Sequence, residues 1–448
     1  MKNIHFIAIG GAVMHNLAIA LHLKGYNITG SDDEIYEPAK SNLEKHNILP
    51  KKLGWFETNI HPNIDAVILG MHAKADNPEL LKARQLGLKI YSFPEFMYEQ
   101  AKNKTRIIVG GSHGKTTTTA MILHVLKFHQ IKFDYLIGSK LEGFNTMVDY
   151  DNDSKIAVFE GDEYLTSALD KRPKFHVYQA NIGIITGIAW DHMNVFPTYE
   201  NYIQQFKIFA ENIPQNGTLI YCAEDTEVIK VVNESNIIAK KIPYVTPLFK
   251  NINGKIVISH NQTNYPLCFF GKHNLQNMMA AMHACTSIGL TETAFYEALQ
   301  SFKGTSKRLE VIHETKNSLV IRDFAHAPSK LKASISAVKE LYPNRKLIAI
   351  YELHTYSSLN KDFLPQYHNS MQQATISAVL FSKHALTIKK MPMLLPKDIE
   401  NGFGSGVNVF SDKNRLLAFI KQNYTGNENV LLMSSGNFDG MPLNEIYS

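Results

Sequence analysis

The run Gly110-Gly111-Ser112-His113-Gly114-Lys115-Thr116-Thr117 places flexible backbone, one ammonium and several hydroxyls side by side. That set suits a nucleoside triphosphate. Glycines let backbone N–H groups turn inward around phosphate oxygens, and a helix N-terminus adds partial positive charge. Lys115 would meet the β- and γ-phosphates and the Thr116 hydroxyl would hold Mg2+. Gly111, Ser112, His113, Gly114 and Thr117 would line the same loop. Two further groups fall where such a site needs them. Glu160 closes the apolar run Lys155–Glu160, and Asp191-His192 follows the apolar run Asn181–Thr186. In parallel α/β sheets ligands sit beyond the carboxyl ends of strands, so Glu160 and His192 can converge on the phosphate loop.

The elements around the loop carry this assignment. Ile107-Ile108-Val109 is a β-branched run that reads as a strand, and Ala120–Lys127 reads as a helix. Strand, glycine turn and helix is the phosphate-loop order. The strict spacing is not met, because Val109 stands five residues before Gly114.

A second glycine turn lies near the start. Residues 3–9 read as a strand, Gly10-Gly11 as a turn, and 12–24 as a helix that Gly25 closes. A strand over 27–30 then ends in Ser31-Asp32-Asp33, an acid past the second strand as in nucleotide-binding α/β units. The third glycine of a dinucleotide fingerprint is missing, since Val13 stands there, so a dinucleotide cofactor is not expected. Strands at 66–69 and 88–91 alternate with helices at 78–86 and 94–102, which implies a parallel doubly wound sheet. Residues 248–270 carry short alternating runs, a small antiparallel patch. Gly271–Asn277 then opens a helix with Asn274 and Asn277 on one face. Strands at 318–323, 346–351, 376–381 and 429–433 form a third α/β region. The expected fold is α/β in three domains. These are a Rossmann-like N-terminal domain over 1–104, a central P-loop ATPase domain over 105–304, and a C-terminal Rossmann-like domain over 305–448.

Composition narrows the class. A chain of 448 residues has room for about three domains of ~150 residues. Its 44% apolar and 19% charged residues describe an ordinary globular protein. The net charge of +5 comes without a basic block, so nucleic acid is not implied. Cys222, Cys268 and Cys285 are scattered and read as thiols of a reducing compartment. The apolar stretch 4–23 is interrupted by His5, His15, Asn16 and His22 and has no small-residue cleavage site, so it reads as strand and helix, not a leader. No other run approaches the ~18 apolar residues of a membrane span. A cytoplasmic protein with no membrane partner is expected, and the sequence sets no oligomeric state.

Taken in order, Gly111–Thr117, Glu160, Asp191-His192, the Gly-x-His-Asn-x-x-Asn of 271–277, Lys307-Arg308-Leu309-Glu310 and Asp323-Phe-Ala-His326 resemble the Mur ligase family. These are ATP-dependent amide ligases of peptidoglycan assembly, and the resemblance spans essentially the whole chain. It implies a UDP-binding first domain, a central ATPase domain and a third domain that brings in the amine. It implies γ-phosphoryl transfer to a carboxylate, then attack of an amine on the acyl phosphate. Lys115, Glu160, His192 and Arg308 would be catalytic, with Mg2+ on Thr116 and Glu160 and a second ion on His192. Bare coordination chemistry would give a histidine to Mn2+ or Zn2+. Asn274 and Asn277 would hold the adenine, with Arg308 and Asp323 closing over the nucleotide. Gly10, Gly11, Met14, Asp32 and Arg172 would serve the sugar nucleotide, and His326 and His354 the acceptor.

The resemblance also implies the carboxylate substrate, UDP-N-acetylmuramate, which one branch joins to L-alanine and another to the tripeptide L-Ala-γ-D-Glu-meso-diaminopimelate. Tyr36-Glu37-Pro38, Asn77-Pro78 and Asp170–Phe175 look more like the peptide branch, which is the sequence reading's choice. Glu352–Ser357 looks closer to the alanine branch. Gly187, Ala189 and Ala327 replace the Asn, Glu and second His that the family usually carries. A P-loop switch that hydrolyses ATP to move a partner, or a non-catalytic nucleotide-sugar binder, are the competing classes. Removal of Lys115 is expected to end ligation and leave the fold intact.

Overall fold

The computed structural model describes residues 2–71, 73–190, 195–252, 254–305 and 307–448. Two compact units emerge from its contacts, Met1–Pro247 with Gln276–Leu299, and Leu248–Leu275 with Gln300–Ser448.

The first unit holds two parallel sheets. The N-terminal one comprises β1 (Asn3–Ile7), β2 (Asn27–Ser31), β3 (Ala66–Leu69) and β4 (Ile90–Ser92) in the order β2-β1-β3-β4. Strand order reverses at β1, so the Gly10-Gly11 turn leaves the sheet at its crevice, where ligands of such sheets bind. The helix Ala12–Leu23 follows at once and is buried along one side by Met14, Leu17, Ala18 and Leu21.

The second sheet comprises β5 (Thr105–Gly110), β6 (Phe133–Leu136), β7 (Val148–Asp149), β8 (Ile156–Glu160), β9 (Ile182–Ile185), β10 (Thr218–Cys222) and β11 (Lys240–Tyr244). Its order is β11-β10-β9-β5-β8-β6-β7, and only β7 runs antiparallel to its neighbour. β5 sits between β9 and β8, with every residue from Arg106 to Gly110 buried. The phosphate loop therefore springs from the sheet's centre, and the ends of β8 and β9 flank it. One continuous apolar core, including Phe6, Met14, Phe96, Phe159 and Phe175, runs through both sheets.

Arg106 on β5 joins the two sheets. Its Nη1 donates to the carbonyls of Ala101, Lys102 and Lys104 at 3.2, 2.8 and 3.0 Å. Its Nε donates to Tyr178 and Gln179 at 3.1 and 2.8 Å. Burial lowers its pKa from the usual arginine value.

The second unit holds an antiparallel patch, β12 (Lys250–Ile252), β13 (Lys255–His260) and β14 (Thr263–Leu267). It also holds a sheet of β15 (Glu310–Glu314), β16 (Leu319–Asp323), β17 (Leu347–Leu353), β18 (Ile376–Phe381), β19 (Val407–Phe410) and β20 (Asn429–Met433). The order is β15-β16-β20-β17-β18-β19, with β15 antiparallel and the rest parallel. β17 is buried at all seven positions, as a central strand covered on both faces must be. The α/β class matches the sequence expectation, as does the parallel N-terminal sheet. β6, β7, β10, β11, β15 and β19 do not appear in it. β15 and β19 are half-exposed edge strands, and the apolar run that marks a buried strand is absent from them. Among the described residues no helix is long and apolar enough to cross a membrane.

Candidate active site

Gly111 and Gly114 both take positive φ, 136° and 80°, a region that side-chain-bearing residues avoid. Neighbours close the space as well. A Cβ on Gly111 would overlap the Thr186 hydroxyl, and one on Gly114 would overlap the Asn277 amide oxygen. The loop between them is fastened to β9 and its continuation. Ser112 N–H donates to Gly187 O at 2.9 Å, Ala189 N–H to Ser112 Oγ at 2.9 Å, and the Thr186 hydroxyl to His113 O. Gly187 packs under the His113 ring, and a Cβ on it would displace that ring.

The helix Lys115–Phe128 starts inside the loop and has no side-chain cap, which leaves its first N–H groups to a ligand. Lys115 Nζ donates to Gly111 O at 2.5 Å and to Glu163 Oε2 at 2.7 Å. Burial opposes the ammonium, yet Glu163, Asp162 and Glu160 together hold its pKa above the ordinary lysine value. Glu163 itself is fully buried and also accepts from the Tyr202 hydroxyl at 3.2 Å. Tyr202 in turn hydrogen-bonds Ser112 Oγ at 2.6 Å. Glu163 and Tyr202 are functional neighbours that sequence reasoning missed. The helix Tyr199–Glu211 gives no local sign that one of its tyrosines reaches back to the loop.

This ion pair changes one expectation. Removing Lys115 leaves the Glu163 carboxylate buried without its cation, which costs on the order of 3 kcal/mol. Stability is therefore not spared.

The Thr116 hydroxyl donates to Glu160 Oε1 at 2.8 Å, and Gly138 N–H donates to Glu160 Oε2 at 2.7 Å. A hydroxyl and a carboxylate that already meet are hard oxygen donors, and they fit Mg2+ with water and phosphate completing its shell. His192, with Asp191, lies outside the described residues. No cluster of three or more His, Cys, Asp or Glu suited to a metal occurs among the described residues.

One cavity of about 450 Å³ has the N-terminal glycine turn on one side of its wall and Lys115, the first residue after the phosphate loop, on the other. Gly11, Val13 and Met14 line it from the N-terminal sheet, Lys115, Glu160 and Lys174 from the second. Lys174 pairs with Asp162 at 2.6 Å. Burial would raise Asp162, but Lys174 and Lys115 hold it down at about 2. Gly10 and Asp32 are tied to each other. Asp32 is buried and accepts the Gly10 N–H at 2.7 Å, and burial raises its pKa.

Arg172 is not brought to this cavity. It is exposed, paired to Asp170 at 2.6 Å and to Glu95 at 3.5 Å, and lines a separate open groove. Lys174, two residues on, is the cation that faces inward. Asn277 abuts Gly114 of the phosphate loop, whereas the Asn274 side chain donates to Phe270 O at 2.8 Å and ties down its own helix start.

In the second unit Arg308 stacks 4.8 Å over the Phe324 ring. Asp323 accepts Leu309 N–H at 2.9 Å and the Ser334 hydroxyl at 2.5 Å. His326 Nδ1 donates to Phe324 O at 2.7 Å, and its own carbonyl accepts from Tyr351 and Tyr367, each at 2.9 Å. His354 packs against Gly436, and burial lowers its pKa. Ala327 is the N-cap position of the helix Pro328–Leu341.

Family models match nearly end to end: a Mur ligase family catalytic domain at 3–105, a Mur ligase middle domain at 109–285 and a Mur ligase glutamate ligase domain at 307–436. The UDP-N-acetylmuramate–L-alanine ligase of Caldicellulosiruptor bescii is 32% identical over 84% of this chain and 82% of its own. The chain belongs to the Mur ligase family. It is an ATP-dependent, amide-forming ligase of cell-wall synthesis, and the reading as a P-loop switch falls away. Among solved structures, the UDP-N-acetylmuramate–alanine ligase of Thermotoga maritima is similar with a TM-score of 0.72 at 21% identity, over 100% of this chain and 98% of its own. A murein peptide ligase of Psychrobacter arcticus is similar with a TM-score of 0.65 at 24% identity, over 100% and 99%. At these identities both speak for the Mur ligase fold and leave the acceptor open.

Proposed function

We propose that this Mur ligase activates the carboxylate of UDP-N-acetylmuramate with ATP and joins it to L-alanine. The observation that supports the coupling of two substrates is the cavity whose wall contains both the Gly11–Met14 turn and Lys115, Thr116's partner Glu160 and Lys174. A carboxylate there must approach a polyanion. Two unit charges at ~4 Å and an effective dielectric of ~20 repel by about 4 kcal/mol. Lys115 offsets that repulsion at the β/γ-phosphates, and Lys174 supplies a second positive charge on the side of the sugar nucleotide. Thr116 and Glu160 would hold Mg2+, which when bound supplies charge neutralisation at the phosphates. Met14, Leu136 and Tyr178 give the cavity apolar wall beside these charged groups. Asn277 would bear on the nucleotide from beside the loop; Asn274, Arg308 and Asp323 would complete its closure, and His192 a second metal position. His326 and His354 would face the acceptor.

L-alanine as acceptor rests on the relatives at about 30% identity, whose names carry that reaction. The tripeptide is the second reading. It rests on the stretches around Tyr36 and Asp170–Phe175 and on likeness to murein peptide ligases, one of them 25% identical over 68% of this chain. Competition separates them. Equal L-alanine and tripeptide are offered with limiting UDP-N-acetylmuramate, and products are resolved by mass. Mono-alanyl product supports the first reading, tripeptide product replaces it by the second, and absence of either with intact ATP sinks the ligase substrate assignment.

A further inference from the structure

We infer that Asn16, oriented by His15, is a positioning residue that couples occupancy of the sugar-nucleotide turn to the alignment of Glu160. The inference rests on the two-substrate reading above and adds a residue to it. Asn16 sits one turn into the helix that follows Gly11, and its side chain is buried. Its amide is used on every side. Nδ2 donates to Ala12 O at 2.8 Å and to His15 Nε2 at 3.0 Å. Oδ1 accepts the backbone N–H of Met147 at 3.0 Å, a residue of the other sheet. The bland role, a back-bond to the preceding turn, accounts for one of these bonds. The bond to Met147 has no such local explanation.

His15 decides which way the amide faces. Its Nδ1 lies 2.9 Å from Gly11 O, and a carbonyl only accepts, so Nδ1 carries the proton. Nε2 is then a bare acceptor, and it draws the Asn16 N–H toward itself. That leaves the amide oxygen to Met147. His15 is thus tied at one nitrogen to the glycine turn and at the other to Asn16, with the Asn42 amide farther off at 3.5 Å.

From Met147 the bonds continue to the metal carboxylate. Met147 O accepts from Ile137 N–H at 2.9 Å, and the next residue, Gly138, donates to Glu160 Oε2 at 2.7 Å. The remaining oxygen of Glu160 takes the Thr116 hydroxyl. A Cβ at Gly138 would lie 2.8 Å from Glu160 Oε1, so the carboxylate occupies the space a side chain would need. Met147, Gly138 and Glu160 all line the same cavity as Gly11 and Met14. A ligand that orders the Gly11 turn therefore orders the segment that holds Glu160 in place.

Reciprocal binding tests this. The dissociation constant of UDP-N-acetylmuramate is measured with and without a non-hydrolysable ATP analogue plus Mg2+, and the ratio is the coupling factor. The wild-type protein should show a factor of about five or more, equal in both directions. Asn16→Leu, of similar volume but with no polar atoms, should bring it close to one while each ligand alone binds within about threefold of wild type. A merely structural loss would weaken both ligands and leave the ratio unchanged. His15→Phe should lower the factor to an intermediate value, and it carries the test if Asn16→Leu does not fold. An unchanged factor in a folded variant overturns the inference, as does a wild-type factor of one. Failure of the ligase reading is separate: it would show as no amide product from wild-type enzyme, whatever the coupling factor.

Discussion

Two glycine turns in this molecule join a central strand to a helix, and they put their acids in opposite places. At the N-terminal turn the acid is inside. Asp32 accepts the Gly10 N–H and sits against Ile35 and the turn backbone, so part of the turn's donor capacity is already used. At the phosphate loop the acids stand beside the loop. Glu160 takes the Thr116 hydroxyl and Glu163 takes Lys115, while the backbone donors of the helix start stay available. The lesson is that one backbone motif offers two different surfaces according to where the carboxylates fall. The first turn has one of its donors taken internally. The second keeps its helix-start donors beside an ammonium, a hydroxyl and a carboxylate.

Replacing the lysine breaks that contrast most severely. Lys115→Ala should reduce ligation at least about 10²-fold, as loss of a charge-stabilising donor does. The same variant should also melt lower, and Lys115→Ala with Glu163→Gln should recover most of the melting temperature without recovering activity. If the single variant melts like wild type, the Lys115–Glu163 pair does not bear on stability. Next in size, Glu160→Gln keeps the shape and removes the carboxylate's negative charge. We expect half-maximal activity to need about tenfold more Mg2+, seen in a metal titration at saturating ATP. Unchanged metal dependence would remove Glu160 from the Mg2+ site.

The N-terminal turn should respond far less. Asp32→Asn keeps an acceptor for Gly10 N–H and removes a desolvated charge, so UDP-N-acetylmuramate KM should stay within about threefold. A rise of 10²-fold would show direct ligand contact and erase the distinction between the turns. Its raised pKa fixes a sign as well: ionisation of Asp32 weakens the fold as pH rises above 3.8, and the Asn variant should lose that slope.

The smallest effect belongs to His15. Burial lowers its pKa below 6.5, so the folded state prefers the neutral ring. That contribution is fully present above pH 6.5 and is lost as pH falls through the interval down to the folded-state value. Melting temperature should therefore drop more between pH 7 and 5.5 in wild type than in His15→Phe. Equal slopes would exclude His15 as a titrating contributor.

What the sequence reveals and conceals follows the same contrast. Both turns are legible because glycines sit at the end of apolar runs such as Ile107–Val109, and one end of a strand is a local property. Partners 39 or 90 residues apart are not. Glu163 reads as one acid in a row, and only the fold brings Tyr202 and Ser112 around it. Arg172 and Lys174 show the limit at its sharpest. They are two residues apart, yet the hairpin-like segment between Leu165 and Pro173 sends one to an outer groove and the other into the cavity. Gly187 reads only as a departure from the family pattern, and its place under the His113 ring is visible only in the fold.

Arg106 has a consequence for how far the molecule can be divided. Its guanidinium spans the join between the first two sheets using neutral carbonyls from both sides of residue 104. Cutting the chain there would strand the helix-end carbonyls of Ala101 and Lys102 on one fragment and a buried cation on the other. Carbonyl partners, unlike carboxylates, are not loosened by salt or acid. Separating the first hundred residues would break these bonds, and the seam that joins them to the phosphate-binding sheet should outlast conditions that dissolve the surface ion pairs.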